Sequence, residues 1–169
     1  LYTNGQFNKA KNALEISFKA GNAVFGKNSA GSPFRVYSMK PYEQELLRTW
    51  DYSVAAGDVL RDEWMIDRFE NNQYHLRVYG PNGFYREFTG SKHNPGIIVE
   101  CDYQTDRSKL TGNIIVHIQN QDTRAHTITL TDNSYGTGGH NKVVAPGAKI
   151  TLALNLEQSH CWYDSSISA

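Results

Sequence analysis

Apolar and polar residues alternate one for one along most of this chain, and that pattern restricts the fold more than any other feature. Leu14, Ile16 and Phe18 alternate with Glu15, Ser17 and Lys19. Phe34 and Val36 flank Arg35, and Tyr74, Leu76 and Val78 alternate with His75, Arg77 and Tyr79. Ile114, Val116 and Ile118, then Ile128 and Leu130, then Ile150, Leu152 and Leu154, repeat the pattern further on. A period of two places one side of a strand in a core and the other in water. Between the runs lie Gly, Asn and Pro clusters at 20–22, 31–33, 56–58, 80–83 and 136–139. These residues tolerate positive φ or fix their own, which is what tight turns require. Strands recurring every roughly 8–14 residues predict an all-β, antiparallel sandwich architecture rather than βαβ units. One stretch departs: residues 41–48 begin with Pro41 and carry early acids, which predicts a single helical turn. Residues 50–54 then read as strand.

The chain also repeats itself. Residues 52–57 resemble 142–147, and each run is followed by an apolar strand and then by an aromatic-led strand, at 72–78 in the first copy and 161–167 in the second. The separation from Gly57 to Tyr74 is 17 residues and that from Gly147 to Tyr163 is 16. Two tandem small antiparallel β-sandwich domains of immunoglobulin-like type are expected, residues 1–92 and 93–169, joined by the polar stretch 91–95. One larger sandwich is the alternative.

Charge narrows the function. Lys and Arg number 17 and Asp and Glu 17, for a net charge of zero over 169 residues. Neither half hides an excess, since 1–92 holds 12 basic and 10 acidic residues and 93–169 holds 5 and 7. Nucleic-acid binders carry a basic face, so no nucleic-acid partner is expected. No apolar run approaches the roughly 20 residues that span a bilayer as a helix. The first residues show no signal peptide, and a start at Leu1 reads as a piece of a longer protein, so compartment stays open. Cys101 and Cys161 form no CxxC pair; a disulfide and two small buried thiols both fit.

Motifs for chemistry are missing. His75, His93, His117, His126, His140 and His160 form no HxH, HExxH or Cys-His pattern, so no metal is expected. The strand histidines His75, His117 and His126 are expected to face water. Asp51, Asp58, Asp62, Glu63 and Asp67 straddle turns and alternate faces instead of sharing a dry site. No GxSxG occurs, and the glycines at 136–139 lack a following Lys-Ser or Lys-Thr. No catalytic residue and no cofactor are expected. Aromatic residues near turns are the remaining candidates: Phe84 and Tyr85 after Gly80, Pro81, Asn82 and Gly83, Tyr135 before a glycine loop, and Trp162 with Tyr163 opening the last strand. Such rings can enter a membrane interface or stack on sugars, or they can fill small cores. The Pro-Asn-Gly run is at minimum a hairpin turn joining the strands on either side.

Taken together, residues 22–26, 30–37, 52–58, 79–84 with Arg86, Phe88 and Gly90, and 162–164 resemble the C-terminal region of bacterial phosphocholine-preferring phospholipases C, exported enzymes of the alkaline-phosphatase-like superfamily. The resemblance implies a large catalytic domain elsewhere in the same polypeptide as partner, and a periplasmic or extracellular location. It implies a non-catalytic accessory module that assists hydrolysis of phosphatidylcholine or sphingomyelin by contacting the lipid interface. Phe84, Tyr85 and Tyr135 are the lipid-interface candidates, and a zero net charge suits a zwitterionic surface. A structural domain that docks on the catalytic domain and a carbohydrate-binding or adhesion sandwich are the alternatives.

Overall fold

A computed structural model describes residues 1–107 and 109–169. The chain divides into two compact units, Leu1–Asn94 and Pro95–Ala169. The first holds β1 (Tyr2–Asn8), β2 (Ala13–Lys19), β3 (Ser32–Ser38), β4 (Thr49–Val54), β5 (Val59–Met65), β6 (Gln73–Tyr79) and β7 (Tyr85–Ser91). The second holds β8 (Ile97–Asp106), β9 (Lys109–Asn120), β10 (His126–Asp132), β11 (His140–Val144), β12 (Lys149–Leu154) and β13 (Ser165–Ser168). All strand pairings are antiparallel, and the fold is all-β of the sandwich type expected.

In the first unit a sheet of order β1-β2-β5 faces one of order β4-β3-β6-β7. Alternation builds the core between them. Leu14, Ile16 and Phe18 of β2 and Trp64 of β5 meet Phe34 and Val36 of β3 and Leu76 and Val78 of β6. Phe18 contacts rings of both Phe34 and Tyr52 in the opposite sheet, at centroid distances of 5.5 and 4.6 Å. Trp50 meets Trp64 edge-on at 5.5 Å. Aromatic pairs of this geometry add to the stabilisation from area burial alone.

The second unit repeats the order of the first. Its sheets run β8-β9-β12 and β11-β10-β13, so β8 to β13 stand where β1 to β6 stand. Ile114, Val116 and Ile118 of β9 pack with Ile128 and Leu130 of β10, Val144 of β11 and Leu154 of β12. The sequence repeat falls on equivalent elements: residues 52–57 close β4, and 142–147 close β11. Gly57 and Gly147 follow with φ of +88° and +71°, a backbone region open to glycine.

Three expectations need correction. Residues 41–48 form no helix. Tyr42 and Glu45 exchange backbone hydrogen bonds, both 3.0 Å, across a two-residue turn with Glu43 and Gln44 at positive φ. Tyr42 is buried between Trp50 and Phe69, and that tertiary anchor overrides the local helix signal. Trp162 and Tyr163 precede the last strand, because His160 and Cys161 both adopt positive φ and turn the chain before Ser165. His126 does not face water: its side chain is 10% exposed and its Nε2 lies 2.9 Å from Asp122 Oδ2.

Candidate functional site

The hairpin between β6 and β7 carries the turn residues and the first two candidate aromatics. The Gly80 N–H donates to the Phe84 carbonyl at 2.9 Å, and the Phe84 N–H to the Pro81 carbonyl at 3.2 Å. Asn82 and Gly83 take φ of 57° and 76°. Those are the residue types that accept this conformation with least strain.

The strand pleat then sends Phe84 and Tyr85 to opposite faces. Phe84 turns inward and is partly buried against the core. Its ring meets Phe34 edge-on at 5.9 Å, and the Arg86 guanidinium lies 4.9 Å from its centroid. Tyr85 turns outward and is 37% exposed. Tyr135 is 44% exposed and belongs to the second unit.

Tyr85 belongs to an ordered outer face. Two rows of side chains cross the sheet from β4 to β7: Asp51, Arg35, Tyr79 and Tyr85 in one, Thr49, Tyr37, Arg77 and Glu87 in the next. Arg35 binds Asp51 through both carboxylate oxygens, at 2.6 and 3.1 Å. Glu87 Oε1 accepts from Arg77 Nε at 2.7 Å and lies 2.5 Å from His75 Nε2. Between these ion pairs the tyrosines touch. Tyr37 meets Tyr79 edge-on at 5.5 Å, and Tyr79 lies 5.2 Å from Tyr85. An open groove of about 570 Å³ borders this patch, lined by Pro33, Arg35, Asp51, Tyr79 and Pro81 among others.

The face is tuned to stay neutral. Partial burial disfavours the Glu87 carboxylate, but hydrogen bonds from Arg77, His75 and Tyr85 outweigh it and hold its pKa at about 2. Burial, together with the bond to Glu87, pushes the Tyr85 phenol up to about 12. At neutral pH Tyr85 thus keeps its hydroxyl, and the Asp51 and Glu87 carboxylates are matched by Arg35 and Arg77. Such a surface can stack on apolar or cationic groups while offering little attraction to an anion.

Other exposed apolar side chains lie in the loops. Val24 and Phe25, 38% and 67% exposed, sit between β2 and β3. That loop shares one end of the unit with the Gly80–Gly83 turn: Gly57 N–H bonds to the Ala20 carbonyl at 2.7 Å, the Tyr2 ring lies against Gly21, and the neighbouring Leu1 side chain lies against Gly80. Leu46 and Leu47, 78% and 67% exposed, lie at the other end, where Tyr42 meets Phe69. Phe25 is not marked by any periodicity, since residues 20–31 lack alternation, and Leu46 and Leu47 fall in the turn at 41–48 where a helical turn is expected.

In the second unit the loop bearing Tyr135 is built around Asp132. Its Oδ1 accepts from the Ser134 and Tyr135 N–H groups at 3.1 and 3.0 Å. Its Oδ2 accepts from the Thr137 hydroxyl and N–H, both at 2.6 Å. Asp164 ties the loop to the start of β13, accepting from Ser134 Oγ at 2.5 Å and Asn133 Nδ2 at 3.0 Å. Cys101 and Cys161 are both thiols; Cys101 is partly buried and Cys161 is exposed, not buried. Among the described residues no cluster of three or more His, Cys, Asp or Glu is arranged to hold a metal ion.

Comparison with known proteins adds the wider context. Residues 6–91 match the family model for the C-terminal domain of bacterial phospholipase C. Over 177 residues, all of this chain, it is 32% identical to a non-hemolytic phospholipase C of Pseudomonas aeruginosa, of which it covers 23%. It is 31% identical over 176 residues to a non-hemolytic phospholipase C of Burkholderia pseudomallei, covering 99% of this chain and 23% of that protein. A hemolytic phospholipase C of Pseudomonas aeruginosa is 30% identical over 115 residues. The chain spans about a quarter of the length of the first two relatives.

Proposed function

Because the chain belongs to the family of bacterial phospholipase C C-terminal domains, we propose that it is a non-catalytic accessory module that holds a catalytic domain of the same protein against a zwitterionic phospholipid surface. This role places it in the periplasm or outside the cell. The observation that carries the reading is the gathering of exposed aromatic rings at one end of the first unit: Phe25 at 67%, Tyr79 at 42% and Tyr85 at 37% exposure. Fully burying an exposed side chain of this size contributes about 1.5–3 kcal/mol, so Phe25 has the most to gain at the interface, Tyr79 and Tyr85 contribute a smaller share each, and tyrosine keeps its hydroxyl among the headgroups. The compensated charges on the outer face suit a surface without net charge. Phe84 supports this end from below, and Tyr135 offers a separate contact from the second unit.

Co-sedimentation with phosphatidylcholine vesicles, beside anionic vesicles and a lipid-free control, tests the reading. The chain is expected to bind the zwitterionic vesicles, with Phe25→Ser weakening binding about tenfold and Tyr85→Ser about threefold. No binding to either vesicle type, or variants that bind as the parent does, counts against it.

A docking role is the second reading, favoured by Leu46 and Leu47. Two adjacent, largely exposed leucines at the opposite end suit an intramolecular interface with the catalytic domain. Leu46→Ser with Leu47→Ser then lowers the melting temperature of the full-length protein without changing vesicle binding. An unchanged melting temperature rejects docking through this end.

A further inference from the structure

Two open grooves lie on the outer face of the β4-β3-β6-β7 sheet. The larger is the one beside the Gly80–Gly83 turn, where Arg35, Asp51 and Tyr79 meet Pro33 and Pro81. The smaller, about 330 Å³, lies toward the other end, where Gln73 and His75 of β6 stand beside Thr89 and Ser91 of β7. Six residue steps along β6 separate Gln73 from Tyr79, a span of about 20 Å. Tyr37, Arg77 and Glu87 fill the row between. At the larger groove the half-exposed Tyr79 ring stands in the same row as the Arg35–Asp51 pair. That pair uses two of the five Arg35 N–H groups and two of the roughly four acceptor positions of Asp51. The Tyr37 phenol also draws on Arg35, yet the two paired side chains stay 54% and 61% exposed. An apolar ring and a side-by-side set of donors and acceptors therefore meet in one groove of ligand size.

We propose that this face binds a neutral oligosaccharide: one sugar ring stacks on Tyr79 in the larger groove, its neighbouring hydroxyls bridge Arg35 and Asp51, and the following sugars run past Tyr37 toward Gln73 and His75. A pyranose has an apolar C–H face and a rim of hydroxyls, so it suits an aromatic ring bordered by polar groups. Each hydroxyl both donates and accepts, and two on adjacent carbons accept from the guanidinium while donating to the carboxylate. Other ligands match the pair less well. A phosphate meets the Asp51 carboxylate, and a quaternary ammonium meets the Arg35 guanidinium. An extended peptide finds no row of unpaired backbone groups, since β3 and β6 are each paired on both sides. The rings stand at wide angles, Tyr37 at 90° and Tyr85 at 55° to Tyr79, so they form no flat platform. That arrangement suits a single soluble chain that turns from ring to ring rather than the flat surface of a packed polysaccharide. The site goes beyond lipid contact and does not rest on it, because Phe25 lines neither groove.

Calorimetric titration of the chain tests this. Cellotetraose, maltotetraose, mannotetraose and tetra-N-acetylchitotetraose are the neutral probes, and tetragalacturonate and phosphocholine are the charged comparisons. Saturable binding of at least one neutral tetrasaccharide is expected. Tyr79→Ala and Asp51→Ala should each weaken it about tenfold or more, while Tyr79→Phe, which keeps the stacking ring, holds most of the affinity. Both positions are exposed, so the melting temperatures of these variants should stay close to that of the parent. Phe25→Ser should leave the titration unchanged. A chain that binds a neutral tetrasaccharide but no vesicle sustains this site and removes the lipid reading, and the opposite pattern does the reverse. Failure of all four neutral probes overturns the proposal. So does tighter binding of phosphocholine or tetragalacturonate at Tyr79, or binding of the neutral probe by Tyr79→Ala and Asp51→Ala as tight as by the parent.

Discussion

Phe88 of β7 lies on Gly5 of β1 so closely that a Cβ at residue 5 would fall 2.6 Å from its ring. The two residues come from edge strands of opposite sheets, so this contact closes one side of the first sandwich. Gly5→Ala forces the ring aside and is expected to destabilise the fold by about 1–3 kcal/mol, the usual cost of overpacking. Urea denaturation measures it. Adding Phe88→Leu to Gly5→Ala should recover part of the loss. A Gly5→Ala variant as stable as the parent would show that β7 does not seal this edge.

Leu76 tests the centre of the same unit. It is fully buried on β6, opposite Ser38 of β3 and Phe88 of β7. Leu76→Ala removes its methyl groups and leaves a cavity, for an expected loss of about 2–5 kcal/mol. Leu47→Ala, at a position 67% exposed, should change stability by less than about 0.5 kcal/mol. Comparable losses at the two sites would contradict the burial pattern.

Glu87 predicts an acid-side dependence. Its folded-state pKa of about 2 lies below the ordinary value of 4.5, so its contribution is complete above that value and fades as pH falls toward 2. The carboxylate is about one-third exposed, and solvent screening limits the effect to about 1 kcal/mol. The stability difference between the parent and Glu87→Gln should therefore be constant near neutrality and shrink between about pH 5 and pH 2. A difference that grows on acidification would reverse the assigned sign.

Much of the fold is legible in single strands. β2, β6, β9 and β12 read directly, because each has one face in a core and one in water. β1 does not read, because its inward positions are Thr3, Gly5 and Phe7, and only the last is a large apolar residue. The turn at 41–48 misleads because Pro41 and the following acids are a genuine local helix signal, while buried Tyr42 makes its decisive contacts with distant Trp50 and Phe69. The hairpin at Gly80–Gly83 is local chemistry and reads well. The tyrosine patch does not, because Tyr37, Tyr79 and Tyr85 come from three strands and meet only through register. Alternation alone separates Phe84 from Tyr85, but the choice of which one faces the core depends on Phe34 in another strand.

Cys161 and Cys101 should differ in reactivity. Both are thiols, with Cys161 exposed and Cys101 partly buried on β8. A thiol reagent under native conditions is expected to label Cys161 first, as located by peptide mass mapping, and to label Cys101 fully only after unfolding. Equal rates for both would contradict the packing of β8. Recovery of a peptide joining the two residues would contradict the thiol assignment.

The Tyr135 loop is the place where a single carboxylate fixes a candidate contact residue. Asp132 accepts four hydrogen bonds from Ser134, Tyr135 and Thr137, chief among them the Thr137 hydroxyl, and these hold its pKa well below the ordinary 3.8. A carboxylate stabilised in this way stays ionised as pH falls through the usual aspartate range, so the loop should keep its order under mild acid. Asp132→Ala removes all four acceptor contacts while leaving the core residues of β10, Ile128 and Leu130, in place. The expected result is faster amide exchange at Ser134, Tyr135 and Thr137 with little change in the global unfolding midpoint. Asp132→Asn should behave intermediately, because its one carbonyl oxygen can serve one side of the set but not both. If the second unit reaches lipid through Tyr135, Asp132→Ala also weakens vesicle binding. If exchange quickens and binding does not change, the lipid contact belongs to the first unit and rests on Phe25 and Tyr85.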